Sequence, residues 1–465
     1  MNLRGCIGWR GTALLAFALL AATLAGCDKL GGKKKPAGEG SDSAASGTGA
    51  STDGPIIVGH FASMTGAQAT FGQSTDNGVK MAVEERNAAG GVKGRQVVVK
   101  TLDTASKASE GGTVVTRLIN NEHVVALLGE VASSISLAGG QIAQKLGVPM
   151  VSPSSTNKKV TEIGDMIFRV CFLDGFQGYV MAKFAIDDLK ITKVAVLYDQ
   201  TQAYSKGLME DFKTALLGMK GVITTEQAYS GGDADVSAQL QTIKTSGAEA
   251  VYMPGYYTDA GNIVRQARKL GIKVPFLGGD GWDSEKLTEI GGEAIEGSYY
   301  SNHYSFEEQR PEVQDFVKKF KEKHGQVPDG LAALGYDAAR VLFDAMDRAP
   351  SLGGKDLAAA LAQTKNFAGV TGLITIDANR DAQKKAVVLV IKGGKPAYVT
   401  SISPPDMVEP APPAPPAPAP AEPAGGGAAA PADPAPTPGA PKAIRSKPGA
   451  TTDLKSADDP DEGGQ

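Results

Sequence analysis

Val124-Val125-Ala126-Leu127-Leu128-Gly129, running on to Ala132-Ser133-Ser134, and Val148-Pro149-Met150-Val151-Ser152, running on to Ser154-Ser155-Thr156, decide how the chain folds. Each is a short apolar run bounded by Gly or Pro, and such runs read as strands of a parallel sheet. Each ends in a cluster of hydroxyls. In open α/β sheets, ligands bind just beyond the carboxyl ends of the strands. Hydroxyls and free backbone N–H groups there suit a carboxylate or another small anion. Ser and Thr are also ordinary N-cap and turn residues, so one cluster alone would carry little weight. Two clusters separated by a single helix carry more.

The same alternation runs outward. Ile56-Ile57-Val58 and Val97-Val98-Val99 read as strands; Val79, Ala82 and Val83, then Val114, Leu118 and Ile119, recur at helical spacing, and a helix is expected over 137–146. The pattern restarts after Arg169-Val170-Cys171-Phe172, with strands at 194–198, 222–223, 250–253 and 275–277 and helices at 206–217, 236–245 and 263–270. Two βα runs of similar length predict an α/β fold of two Rossmann-like lobes with right-handed crossovers. Long helices at 312–324 and 331–346 precede a hairpin, 386–391 and 397–402, turned at Gly393-Gly394. A hairpin closing an α/β chain implies more than one crossing between the lobes.

Read strand by strand, the loops divide by chemistry. In the first run Ala62-Ser63-Met64-Thr65-Gly66, with Phe71 beyond, precedes the two hydroxyl clusters. In the second run Tyr198 leads to Tyr204, Met253 to Gly255-Tyr256, and Leu277 to Gly278-Gly279-Asp280-Gly281-Trp282. Facing each other, the two sets suit a zwitterion. Its carboxylate would meet the first lobe, its ammonium Asp280, and its apolar side chain Phe71, Tyr204, Tyr256 and Trp282. Each has a plainer role to compete with: Asp280 as a turn former, Tyr256 and Trp282 as core aromatics, Phe71 as local packing.

The ends of the chain differ from its middle. Arg4 and Arg10 precede an apolar run, 13–24, too short for a comfortable membrane span, which reads as a signal peptide over 1–26. It ends Leu24-Ala25-Gly26-Cys27, which resembles a bacterial lipobox and implies a lipid on Cys27. Asp28 resembles an inner-membrane retention signal. Residues 27–54, with Lys33-Lys34-Lys35, read as a flexible tether, and 404–465, rich in Pro and Ala, as a disordered tail. With Cys6 removed and Cys27 lipidated, Cys171 has no partner for a disulfide. The net charge of -4 gives no nucleic-acid surface.

Gly90-Gly91-Val92-Lys93-Gly94, the hydroxyl loops, Arg265-Gln266-Ala267 with Gly271, and Gly335-Tyr336-Asp337-Ala338-Ala339 together resemble the Leu/Ile/Val-binding group of periplasmic binding proteins of type I, the substrate-binding proteins of ABC importers. The resemblance covers nearly all of 55–403. It implies lobe 1 over 55–173 and 302–373, lobe 2 over 174–301 and 374–403, a three-strand hinge, and closure around the ligand. It implies that Ser133 and Thr156 meet a ligand carboxylate, that the carbonyl of Ser154 and the side chain of Asp280 meet the ammonium, and that Tyr204, Tyr256 and Phe71 line the cleft. It implies an ABC permease as partner. Two departures stand out: Asp280 replaces a Glu common at that position, and Ala105 and Ala132 replace two cysteines that some members pair.

An enzyme is the first rival reading. The chain has neither a Walker loop nor a nucleophile elbow, no Gly-x-Gly-x-x-Gly follows the first strand, and His60, His123, His303 and His324 lack metal-ligand spacing. No cofactor or metal is expected. The second rival is a lipoprotein that senses a ligand for a membrane receptor; related frameworks also take amides, urea and aromatic acids. The expectation is a lipid-anchored protein on the periplasmic side of the inner membrane, capturing an aliphatic amino acid for an importer.

Overall fold

A computed structural model describes residues 54–404. The expected signal peptide, Cys27, the tether up to 53 and the tail beyond Pro404 lie outside the described residues. The first run comprises β1 (Ile56–Ala62), α1 (Ala69–Ala88), β2 (Val97–Asp103), α2 (Ala108–Asn120), β3 (Ala126–Leu128), α3 (Ser133–Leu146), β4 (Met150–Ser152) and β5 (Ile167–Arg169). The second comprises α4 (Asp174–Lys183), β6 (Lys193–Asp199), α5 (Ala203–Gly218), β7 (Val222–Tyr229), α6 (Ser237–Thr245), β8 (Ala250–Tyr252), α7 (Tyr257–Lys269), β9 (Phe276–Gly278), α8 (Glu285–Gly291) and β10 (Tyr299–Asn302). Then follow α9 (Pro311–His324), α10 (Gly330–Arg348), α11 (Gly354–Ala362), β11 (Phe367–Gly369), β12 (Gly372–Ile376), β13 (Ala382–Gln383) and the hairpin β14 (Ala386–Lys392) and β15 (Lys395–Ile402).

These strands form two main sheets. The first, in order β2-β1-β3-β4-β5, is wholly parallel, with Val58 opposite both Val99 and Ala126. The second, β15-β14-β10-β9-β8-β6-β7, is parallel from β10 onward and antiparallel at the hairpin. The central strands β3, β4, β8 and β9 are three residues each and buried throughout. Helices cover both faces of such strands, so unbroken apolar runs replace alternation. The edge strand β2 instead leaves Val98 exposed.

The chain passes between the two sheets three times: at 170–173, at 303–310 and at 384–385. The last crossing falls later than 374, where lobe 2 was expected to resume. A boundary there would cut β12, and Asp381 beyond it pairs with Arg169 of β5 at 2.6 Å. β11, β12 and β13 form a small antiparallel sheet of their own, tied to β5 by that pair. The helix expected at 137–146 begins at Ser133, because its first turn is polar and the apolar periodicity sets in only later.

The 335–339 motif proves structural. A Cβ on Gly335 would lie 2.5 Å from the Thr75 carbonyl, and one on Gly78 2.0 Å from the Ala332 carbonyl. Glycine at both positions lets α1 and α10 approach backbone to backbone. Asp337 accepts the backbone N–H groups of Val370 and Thr371, fixing the turn between β11 and β12. No helix among the described residues is long and apolar enough to cross a membrane.

Candidate functional site

The carboxyl ends of the two sheets meet at a small cavity. It is lined by Phe71, Val131, Ser154 and Leu331 from the first side and by Tyr204, Tyr256, Asp280 and Gly281 from the second. Its volume is about 10 Å³, the room that a single water needs, so its walls stand close together. Phe71 sits in the first turn of α1 and meets Tyr256 edge-on, ring centres 5.7 Å apart. Tyr204, in the first turn of α5, stacks on Tyr256 at 5.2 Å.

The 154–157 loop is shaped from beneath. Arg169, fully buried on β5, donates to the carbonyls of Ser155 and Asn157 while pairing with Asp381. With its backbone so held, the loop leaves the hydroxyls of Ser154 and Thr156 buried without a hydrogen-bond partner. The Tyr256 hydroxyl is in the same condition. Ser133 Oγ accepts from the Asn157 N–H at 3.4 Å, and its own proton remains free to donate. Ser154 and Tyr256 line the cavity, whereas Ser133 and Thr156 are not among its lining residues. Buried polar groups are nearly always satisfied, so unpaired hydroxyls at a cavity wall mark a candidate ligand site.

The neighbouring hydroxyls have other work. Ser155 donates toward the Glu130 and Val131 carbonyls and Ser136. Ser134 accepts from the Ala203 N–H at 3.0 Å and donates to Gln202, thereby capping α5 from the opposite side of the cavity.

Asp280 is buried and already engaged. Its Oδ1 accepts from Tyr204 at 2.8 Å and from Gln177 at 3.1 Å, and its Oδ2 lies 2.9 Å from His303 Nε2. Trp282 is not brought to the cavity. Its indole is fully buried, donates to the Met253 carbonyl at 3.2 Å and tilts against Tyr300. The expectation that it lines the cleft is corrected to a core position beneath Gly278, where a Cβ would lie 2.3 Å from the indole.

Sequence reasoning missed several participants. Asp174, the first residue of α4, is buried with both carboxylate oxygens unpaired, and burial pushes its pKa well above the usual carboxylate range. The Thr156 hydroxyl lies close enough to favour its ionised form, without the alignment of a formed hydrogen bond. Val131, Leu331, Gln177 and His303 were also unforeseen. The one available signal was the acidic residue opening a helix at 174. Among the described residues no group of three or more His, Cys, Asp or Glu is placed to hold a metal ion.

The chemistry of the walls matches a small zwitterion: hydroxyls on one side, a carboxylate on the other, aromatic rings around the remainder. Comparison with known proteins agrees with that chemistry. A family model described as periplasmic binding protein matches residues 55–395. A Leu/Ile/Val-binding protein homolog of Brucella abortus is 33% identical over 336 residues, covering 72% of this chain and 89% of that one. The structure of a leucine-binding protein from Thermotoga maritima superposes with a TM-score of 0.72 at 40% identity, over 76% of this chain and all of that one. A branched-chain amino acid transporter substrate-binding protein from Streptococcus pneumoniae, solved with isoleucine, gives 0.72 at 32% identity, over 75% of this chain and all of that one. On the model match and these relatives, the chain belongs to the periplasmic binding protein family.

Proposed function

We propose that this protein is the extracytoplasmic solute-binding component of an ABC importer and captures a branched-chain or other aliphatic amino acid. The observation that carries the reading is an unsatisfied buried hydroxyl at Ser154, with that of Thr156 likewise unsatisfied in the same loop, and a carboxylate at Asp280 across a cavity walled by Phe71, Tyr204 and Tyr256. The ligand carboxylate takes the hydroxyls of Ser133 and Thr156. The ammonium takes the Ser154 carbonyl and Asp280, and the alkyl group lies among the rings. The two sheets are the cores of two lobes that close on the ligand, and the closed form is presented to a permease. Lipidation at Cys27 anchors the chain to the periplasmic face of the inner membrane.

A thermal-shift screen tests the reading. L-leucine, L-isoleucine or L-valine is expected to raise the melting temperature, because a ligand that binds only the native state stabilises it by mass action. Benzoate, urea and simple amides are expected to leave it unchanged. A shift with those compounds and none with amino acids would overturn the assignment.

A further inference from the structure

His303 lies outside the cavity wall, yet its imidazole touches the carboxylate assigned to the ligand ammonium. Its side chain is fully buried and stacks on Phe172 with ring centres 3.8 Å apart. Phe172 belongs to the first crossing between the sheets and His303 opens the second, so the ring is braced by two hinge segments rather than by a loop. Nε2 faces Asp280 Oδ2 at 2.9 Å, while Nδ1 has no hydrogen-bond partner. An ionised carboxylate can only accept, so Nε2 carries the proton. A second proton on Nδ1 would bury an unpaired N–H, which is unfavourable.

A carboxylate offers about four acceptor sites. Tyr204 and Gln177 use Oδ1, and His303 uses one site on Oδ2. We infer that His303 is a positioning residue for ligand capture: its neutral ring, protonated on Nε2, fixes Asp280 so that the remaining acceptor site on Oδ2 is offered to the ligand's ammonium. The inference rests on the reading of Asp280 given above. It also explains how a side chain one methylene shorter than Glu serves there, since the carboxylate is held by three donors rather than by its own reach.

The consequence is a pH limit. The charged and titratable groups facing the ring are Asp280, which favours its protonation, and Lys384, which opposes it; burial is the largest influence and holds its pKa below the ordinary value of 6.5. Below that pKa a second cation stands beside Asp280 and competes with the ammonium.

The test uses the full chain and L-leucine. Titration by calorimetry from pH 8 downward, carried to the pH at which nitrogen NMR shows the ring protonating, is expected to show affinity falling by up to about tenfold per pH unit from that point. His303→Gln, which can donate but cannot titrate in this range, should bind like the unaltered protein at pH 8 and lack that acid-side fall. His303→Leu should lose roughly tenfold or more at pH 8, as expected for a lost hydrogen bond to a charged group. Nitrogen NMR of the imidazole, taken without ligand, should show a neutral ring protonated on Nε2 at pH 7, and it needs no variant to fold. A proton on Nδ1, or an acid-side fall that persists in His303→Gln, would overturn the inference. Absence of binding by any amino acid would sink the functional reading, whereas normal binding by both variants at every pH would sink only the role of His303.

Discussion

Ser133 and Thr156 differ from Ser134 and Ser155 in what already occupies their hydroxyls. The first two have a proton or a whole hydroxyl to spare; the second two are spent on Ala203, Gln202 and the 130–131 backbone. That division was legible in the sequence only as two clusters at strand ends, because which hydroxyl of a pair turns inward depends on where the helix starts. Asp280 was legible because it follows a strand in a glycine-rich turn. His303 and Asp174 were not, since each becomes relevant only when distant segments meet. Trp282 was misread for the same reason: a tryptophan beside an acidic loop residue is equally compatible with a pocket wall and with the core behind it. Ser155→Ala should therefore lower stability by about 1–3 kcal/mol in urea denaturation, the cost of stranding buried acceptors, and change affinity far less than Thr156→Val does.

At the scale of elements, the α/β alternation and the closing hairpin were readable from apolar runs and helical spacing. The strands β5, β10 and β11–β13, two to five residues long, were not, because so few residues leave no period to detect. Their placement comes from tertiary partners, such as the Asp381–Arg169 pair. Two helix starts meet the opposite side of the cavity. α5 is capped by Ser134, and the first N–H of α10, on Gly330, is taken by Asp283 Oδ2 at 2.6 Å. Ser134→Ala removes a cap contact worth about 0.5–2 kcal/mol. We expect it to favour opening and to speed ligand release in stopped-flow measurements, with the amino-acid preference unchanged.

The α10 start also carries a pH signal. Asp329 caps it, accepting from the Ala332 N–H at 2.8 Å, and its pKa is pushed up to about 7 by burial and by the neighbouring Asp283. A carboxyl whose folded pKa lies above its unfolded value stabilises fully below the unfolded value and loses that contribution as pH rises through the folded one. The contribution is thus present at about pH 4 and gone above pH 7. Because Asp329 is only partly buried by its own surface, solvent screening reduces its size. Asn keeps the cap, so Asp329→Asn should flatten the decline in urea midpoint between pH 4 and pH 8. An unchanged decline would assign it to other groups.

Over the whole molecule, three crossings join two sheets whose carboxyl ends face one cavity, and Arg169 ties the first and third crossings' neighbourhoods together from beneath the ligand loop. Breaking that buried pair with Asp381→Ala leaves an uncompensated guanidinium and should cost about 3–5 kcal/mol of stability in urea denaturation. The division of labour between a stabilising underside and an unsatisfied upper surface is what a binding protein requires, since the loop must be rigid before the ligand arrives. Calorimetric titration of L-leucine into the unaltered protein and into Ser133→Ala/Thr156→Ala tests this most directly. The expected result is one-to-one binding to the first and loss of most affinity in the second, with its far-ultraviolet circular dichroism unchanged. Equal binding by both proteins would place the amino acid somewhere other than these hydroxyls.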